Sequence, residues 1–388
     1  MPIINRFAEM HAEITEWRRD FHRNPELLYD VHRTAGVVEE KLRSFGVDEV
    51  IPGIGRTGVV GVIKGRQSGS GKVVGLRADM DALPIDEMTG KDYASQNPGI
   101  MHACGHDGHT AMLLGAAKYL AETRNFDGTV VVMFQPAEEG GAGAKAMVDD
   151  GVMDRFDIQE VYGMHNYPTV PVGEFAMRPG ALMASADQLT IQIDGYGGHA
   201  ARPHAAIDPI VVSAHMITAL QTIASRSVDP LKSVVVSICK VSAGNAHNVI
   251  PQSATMLGTV RTLDPEVRDI AEERIRKVVE STAAAFGATA TCTYNRDYPI
   301  TVNNPEKTKF AAAIAGEIAG PDRVDTDYPP VMGGEDFSFM LNERPGAYIF
   351  IGNGDTAPVH HPEYDFNDEI IPYGCSYFVR AVETAMPV

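Results

Sequence analysis

The chain has 388 residues, 44% of them hydrophobic and 22% charged, with four cysteines and a formal net charge of −18. That length exceeds one ordinary core and predicts two domains. The acidity excludes a nucleic-acid surface, which needs a basic face, and requires any anionic substrate to be met by locally placed arginines.

Taken along the chain, residues 5–23 carry helical periodicity with acid and base from the start, so the N-terminus reads as a first helix rather than a signal peptide. Residues 34–45 repeat the helical pattern and end at Gly46. Strands are predicted at 59–63 and 73–77, joined by a Gly/Ser-rich turn over 65–71. A strong helix opens at Asp107, whose carboxylate suits an N-cap. The β-former run 129–135 is broken by Pro136, and a helix over 142–150 and a strand before His165 follow. Near Ser185 the texture changes. Strand 188–194, helix 209–226, strands 233–241 and 254–261, helix 265–285 and strand 288–295 give the order β-α-β-β-α-β of a ferredoxin-like module. Helix 305–319 and strand 346–351 then restore the earlier alternation. The chain therefore reads as an α/β domain over 1–184 and 296–388, interrupted by an inserted module over 185–295. No stretch approaches the ~18 apolar residues of a membrane span. Cys104, Cys239, Cys292 and Cys375 lack paired spacing, so the protein is read as cytoplasmic and reduced, with neither nucleic-acid nor membrane partners.

The chemistry-bearing residues cluster after strand ends, where open α/β sheets place their sites. Glu138 and Glu139 follow a buried-looking strand and precede Gly140-Gly-Ala-Gly143, which lets the backbone come close. Adjacent acids are usually solvated. Here their diverging side chains suit two jobs, one binding metal and one reaching the activated water. Met101-His-Ala-Cys-Gly-His-Asp-Gly-His109 places Cys104 and His106 before a helix start, where the dipole favours a thiolate. A lone Cys-x-His is more often a buried thiol beside a capping histidine. Three histidines and an aspartate close together weaken that reading, with His102 and His109 left to packing or support. Asp79 and Asp81 share one face of a strand end, and either can orient a ligand histidine or pair with Arg77. His165 follows another strand.

These segments carry a resemblance. Gly75-Leu-Arg-Ala-Asp-Met-Asp-Ala-Leu-Pro84, the Cys104 segment, Phe134-Gln-Pro-Ala-Glu-Glu-Gly140, Gly195-Tyr-Gly-Gly-His-Ala200, Asn248-Val-Ile-Pro251, Met332-Gly-Gly-Glu-Asp-Phe337 and Val359-His-His-Pro362 resemble the M20 metallopeptidase family. The nearest branch is the hippurate hydrolase and indole-acetyl-amino-acid hydrolase type, and the motif order holds over nearly the whole chain. The resemblance implies a zinc-exopeptidase-like catalytic domain with the inserted module as a dimerisation and lid domain. It implies that Cys104, His106, Glu139, His165 and His360 bind two divalent ions. Glu138 would be the general base on metal-bound water, with Asp81 also catalytic. Cys104 stands where other branches have a bridging aspartate, and His106 is implied to replace a ligand histidine that they carry in the segment matching Asp79 and that is missing here. A thiolate favours zinc, and the oxygen ligand also permits manganese, with cobalt or nickel as alternatives. His360 is preferred to His361 because the branch pattern is His-x-Pro. His199, which alone would read as a turn histidine, is implied to enter the partner subunit's site and stabilise the oxyanion. Asn248 and Arg261 would hold the substrate carboxylate, and Gly333 and Gly334 would let the backbone close on it.

The resulting expectation is hydrolysis of a small-molecule N-acyl amino acid by a homodimer or dimer of dimers. Met183, Tyr167 and Phe337 are read as lining the acyl pocket. A dipeptidase or an N-acetyl-diaminopimelate deacetylase would use the same site. A non-catalytic metal-binding relative should have lost a ligand. A thiol hydrolase would need Cys104 and His106 in contact, and chelation separates it from a metal enzyme.

Overall fold

The computed structural model describes residues 3–388. The chain packs as two compact units, one of Met1–Leu182, Val302–Pro329 and Asp336–Val388, the other of Met183–Thr301 and Pro330–Glu335. Pro330–Glu335, and with it Gly333 and Gly334, therefore packs with the second unit, whereas the sequence reading put it in the catalytic domain. Among the described residues no helix is long and apolar enough to cross a membrane.

The first unit is an α/β domain. Its strands are β1 (Glu49–Ile54), β2 (Gly58–Lys64), β3 (Val73–Asp79), β4 (Thr129–Gln135), β5 (Glu160–Pro168), β6 (Phe175–Ala176), β7 (Val324–Asp325) and β8 (Gly346–Gly354). They form one sheet in the order β1-β2-β4-β3-β5-β8-β6-β7. Its centre, β4-β3-β5-β8, is parallel, while β1 and β2 pair antiparallel at one side. Parallel strands are covered on both faces, so β3 and β4 are nearly continuous buried valine and apolar runs. β1 carries Pro52 and Gly53, which hide it from a sequence reading. It survives as an edge strand, where a missing N–H is tolerated.

The helices of this unit include α1 (Asn5–Arg23), α2 (His32–Ser44), α3 (His106–Thr123), α4 (Gly143–Asp149), α5 (Pro305–Ala319) and α6 (Ile371–Ala385). α1 buries Phe7, Met10, Ile14, Trp17 and Phe21, the stripe its periodicity predicts. α3 is buried all round for its first three turns and is the central helix of the core. Its cap differs from expectation. Gly105 is the N-cap in the left-handed region, φ 96°, and Asp107 sits inside the first turn. There the Asp107 carboxylate accepts from His22 Nδ1 of α1 at 2.8 Å.

In the second unit the strands Ser185–Asp194, Val234–Ala243, Ser253–Thr262 and Thr289–Tyr298 form an antiparallel sheet. Their spatial order, second-third-first-fourth, is ferredoxin-like. Ser185–Asp194 alternates buried and more exposed residues, as a sheet with one covered face requires. The covering helices are Pro209–Leu220 and Pro265–Ala285, each starting with proline after an aspartate N-cap, Asp208 and Asp264. The first helix stops at Leu220, earlier than predicted, and a π-helical turn over Ile223–Ser227 follows.

Candidate metal centre

Because β3, β4 and β5 are parallel, their C-terminal ends open on one edge, bringing together Asp79 to Asp81, the Glu138–Glu139 loop and His165. The turn before α3 adds Cys104 and His106. It requires glycine at 105, where a Cβ would stand 2.0 Å from Asn166 Oδ1 and 2.6 Å from the Tyr364 hydroxyl. After β4, Ala137 and Ala142 both take φ 54° and Gly140 takes φ 89°. Left-handed alanines are costly and persist only where the surroundings hold them, as functional loops often are. His360 is likewise left-handed, φ 67°, with its N–H donated to Ala103 O at 2.7 Å.

Both buried imidazoles have their tautomer set by the backbone. His106 Nδ1 donates to the main-chain oxygen of Asp81 at 2.8 Å, and His165 Nδ1 to that of Asn166 at 2.6 Å. Each thereby turns Nε2 toward the cluster, the arrangement that supports metal ligation. His165 Nε2 lies 3.3 Å from Cys104 Sγ. His106 Nε2 is buried without a hydrogen-bond partner. Ligand atoms of Cys104, His106 and His165 lie within 4.8 Å of one another, and so do those of Cys104, Glu139 and His360. Cys104 belongs to both trios, and the five residues together would provide donors for two ions. His360 Nε2 reaches Glu139 Oε1 at 3.2 Å, while the exposed His361 instead accepts the Glu363 N–H at 3.1 Å.

Without a cation this cluster is electrostatically awkward. Burial pushes the Cys104 thiol well above its usual range, and the charges of Glu139, Glu138 and Asp79 push it further. Burial drives His165 well below the usual histidine range, with His109 beside it adding to the effect. Burial also opposes charge on His106, but Asp79 and Asp81 outweigh it and raise the group to about 10. A divalent ion would reverse the preferences of Cys104 and His106, holding the sulfur as thiolate and the imidazole neutral, and would suit His165, which burial already keeps neutral. The orphaned buried Nε2, the thiol and the two locked tautomers are a donor set that fits zinc or another borderline ion.

The supporting residues divide differently from the sequence reading. Asp79 accepts from Arg77 at 2.7 Å and from His109 at 2.6 Å. His109 Nε2 meets the Asn166 N–H at 3.0 Å, so both its nitrogens are engaged. The Asp81 carboxylate accepts the Glu138 and Glu139 N–H groups, at 2.9 and 3.0 Å, and it is the Asp81 main chain that orients His106. Glu138 itself is buried, with ligand atoms near His106 and Glu139. Asp336, to which the sequence reading assigned no role, accepts from Arg77, Gln135 and the Ala144 N–H. It falls inside the Met332-Gly-Gly-Glu-Asp-Phe337 motif, but its partners lie far away in the chain, so no local pattern tells what it binds. Phe337 is fully buried against Tyr348 and cannot line a pocket. Tyr167 is half-buried on the face of β5 that carries His165, with Phe350 at 4.4 Å and Tyr328 at 5.8 Å between ring centroids.

The remaining predicted residues lie in the second unit. Gly198–His199 pairs with Val249–Ile250, and Asn248 O accepts the Ala200 N–H at 3.1 Å, so His199 and Asn248 are neighbours. His199 is exposed, its Nδ1 accepting the Ala201 N–H at 3.0 Å. Arg261 is half-buried, and burial lowers its pKa. A Cβ on Gly334 would meet Ala186 at 2.9 Å and Arg261 Nη1 at 3.5 Å, which puts Gly334 against that guanidinium. Met183 is buried and bridges to Val331.

Over residues 75–384 the sequence matches peptidase family M20/M25/M40. It is 44% identical to hippurate hydrolase of Campylobacter jejuni subsp. jejuni, covering 98% of both chains. It is 40% identical to N-acetylcysteine deacetylase of Bacillus subtilis, covering 95% of this chain and 96% of that one. Among solved structures it resembles the Bacillus subtilis YXEP protein, described as a dinuclear metal-binding peptidase from the M20 family. There the TM-score is 0.84 and the identity 34%, covering 98% of this chain and 99% of that one.

Proposed function

The chain belongs to peptidase family M20/M25/M40 and is a metal-dependent amide hydrolase, and we propose that it cleaves N-acyl amino acids to a carboxylate and a free amino acid. The observation that carries this reading is the pair of donor trios sharing Cys104, with the buried Glu138 carboxylate beside them, within 4.8 Å of His106 and Glu139 ligand atoms. Two divalent ions, zinc or manganese, held by Cys104, His106, Glu139, His165 and His360, would supply Lewis acidity toward the amide carbonyl and acidify water. Glu138 takes the proton from that water at its carboxylate and returns it to the leaving amine nitrogen. Asp81 holds the backbone of both glutamates through two N–H bonds and so fixes their directions. In a homodimer, the partner subunit's His199 donates to the oxyanion, and Asn248 and Arg261 hold the substrate carboxylate.

The acyl side is supported by the aromatic group after His165. Tyr167 stands two residues further along the strand, ~7 Å away, and with the edge-on ring of Tyr328 offers an aromatic wall backed by the fully buried Phe350. An aromatic acyl group fits that wall better than acetyl. A panel of N-benzoyl and N-acetyl amino acids and dipeptides, assayed after chelation and metal add-back, tests the reading. The expected result is metal-dependent hydrolysis with the benzoyl compounds fastest and Tyr167→Ala removing their advantage. Turnover confined to dipeptides, or unaffected by chelation, would reject it.

A further inference from the structure

We infer that Asp336 is a positioning residue for the Glu138–Glu139 pair, its buried carboxylate tying together the two ends of the loop that carries them. The inference rests on the roles proposed above for those two glutamates. The loop, which includes the short, irregular helical turn Glu138–Gly141, leaves the sheet at Gln135, the last residue of β4, and joins the first turn of α4 at Ala144. Asp336 binds both points. Its Oδ2 accepts the Ala144 N–H at 2.8 Å, and its two oxygens accept Gln135 Nε2 at 2.8 and 2.9 Å. Arg77 closes the set, with Nη2 to Asp336 at 3.0 Å and Nε to Gln135 Oε1 at 2.7 Å. All three side chains are essentially fully buried.

The neck at this point is as narrow as a backbone permits. Gly143 N–H donates to Ala137 O at 3.1 Å, and a Cβ on Gly143 would stand 1.6 Å from Pro136 O. Inside the neck, Ala137 and Ala142 keep left-handed conformations that an open loop would relax. The Asp81 carboxylate holds the middle of the loop through the glutamate N–H groups, and Asp336 holds its ends. Charge matters as well as shape. A neutral amide offers one acceptor oxygen where Asp336 uses two, and it removes one of the carboxylates facing the buried Arg77. Asp336 lies within 4.8 Å of Glu138, yet its oxygens are already taken by these donors. It therefore acts on the reaction through the loop.

The test is Asp336→Asn in the full-length enzyme, with three readouts: zinc and manganese affinity by competition with a chelating dye, kcat and KM on N-benzoylglycine, and the midpoint of thermal unfolding. Loss of an outer partner of a metal site typically costs ~10–100-fold in metal affinity or activity. The expected result is a loss of that size in affinity and kcat with KM little changed. Gln135→Leu, which cuts one tie and leaves the Asp336–Ala144 bond, should lie between the two, and it serves if Asp336→Asn fails to fold. Variants that merely melt earlier, with wild-type metal affinity and kcat, would reduce Asp336 to a structural residue and overturn the inference. If the wild type cleaves no N-acyl amino acid, the function proposed above fails, while the metal-affinity readout still decides the clamp.

Discussion

Cys104 faces His165 Nε2 at 3.3 Å, a distance equally suited to a shared metal and to a thiol–imidazole pair. Its environment separates the two. A catalytic thiol needs its anion stabilised, but burial and three nearby carboxylates push this one toward the neutral form, and only a cation reverses that. Cys104→Ser should accordingly lower metal occupancy, with activity partly recovered at high added metal, because a hydroxyl is a much poorer ligand than a thiolate. Full stoichiometry at unchanged affinity, read by elemental analysis and dialysis, would make Cys104 a bystander. Glu138 makes the opposite prediction. Glu138→Gln removes a proton acceptor and no proposed ligand, so both metals and the fold should persist while turnover falls ~10²–10⁴-fold. Metal content and rate measured on one sample decide it, and near-normal activity would mean the base lies elsewhere.

At the scale of elements, the turn into α3 shows how a local backbone rule builds a site. Gly105 is left-handed, and any Cβ there would run into Asn166 and Tyr364. Gly105→Ala should cost ~1–2 kcal/mol from the backbone alone, and more from the clash, with metal affinity falling too because Cys104 and His106 flank the turn. A urea midpoint unchanged at constant slope would contradict this. What the sequence makes legible follows the same division between local and distant causes. The valine-rich strands β2, β3 and β4, helix α1 and the module order of the second unit rest on period and punctuation, and they are found where these signals put them. β1 is masked by Pro52, and its place is decided by edge pairing with β2. α6 lies outside the sequence reading although it is amphipathic and carries Pro372 in its first turn, so a local signal for it exists in the sequence. The ligand residue types are visible in their motifs. Which atom orients His106, and what Asp336 binds, depend on contacts across the fold that no local pattern encodes.

At the scale of the whole molecule, the residues proposed for one reaction are divided between the two units. Cys104, His106, Glu138, Glu139, His165 and His360 belong to the first, and His199, Asn248 and Arg261 to the second. Each unit has its own apolar core, so each can hold its share of the residues in place independently. His199 is exposed on its own unit, as a residue offered to another chain would be. If it serves the neighbouring subunit of a homodimer, His199→Ala should be inactive although its own metal ligands are complete. Glu138→Gln should be inactive for the complementary reason. In a mixed dimer of these two variants, one site would combine an intact Glu138 with the partner subunit's His199, and the other site would lack both. Subunit exchange or co-refolding of the two inactive proteins should therefore restore activity, to about half the wild-type level per mixed dimer if the sites act independently. The wild type under the same exchange protocol sets the reference, and mass measurement establishes that mixed dimers have formed. Mixed dimers without recovered activity would place His199 in its own subunit's site or outside the reaction, and a protein that stays monomeric while active would remove the dimer from the mechanism.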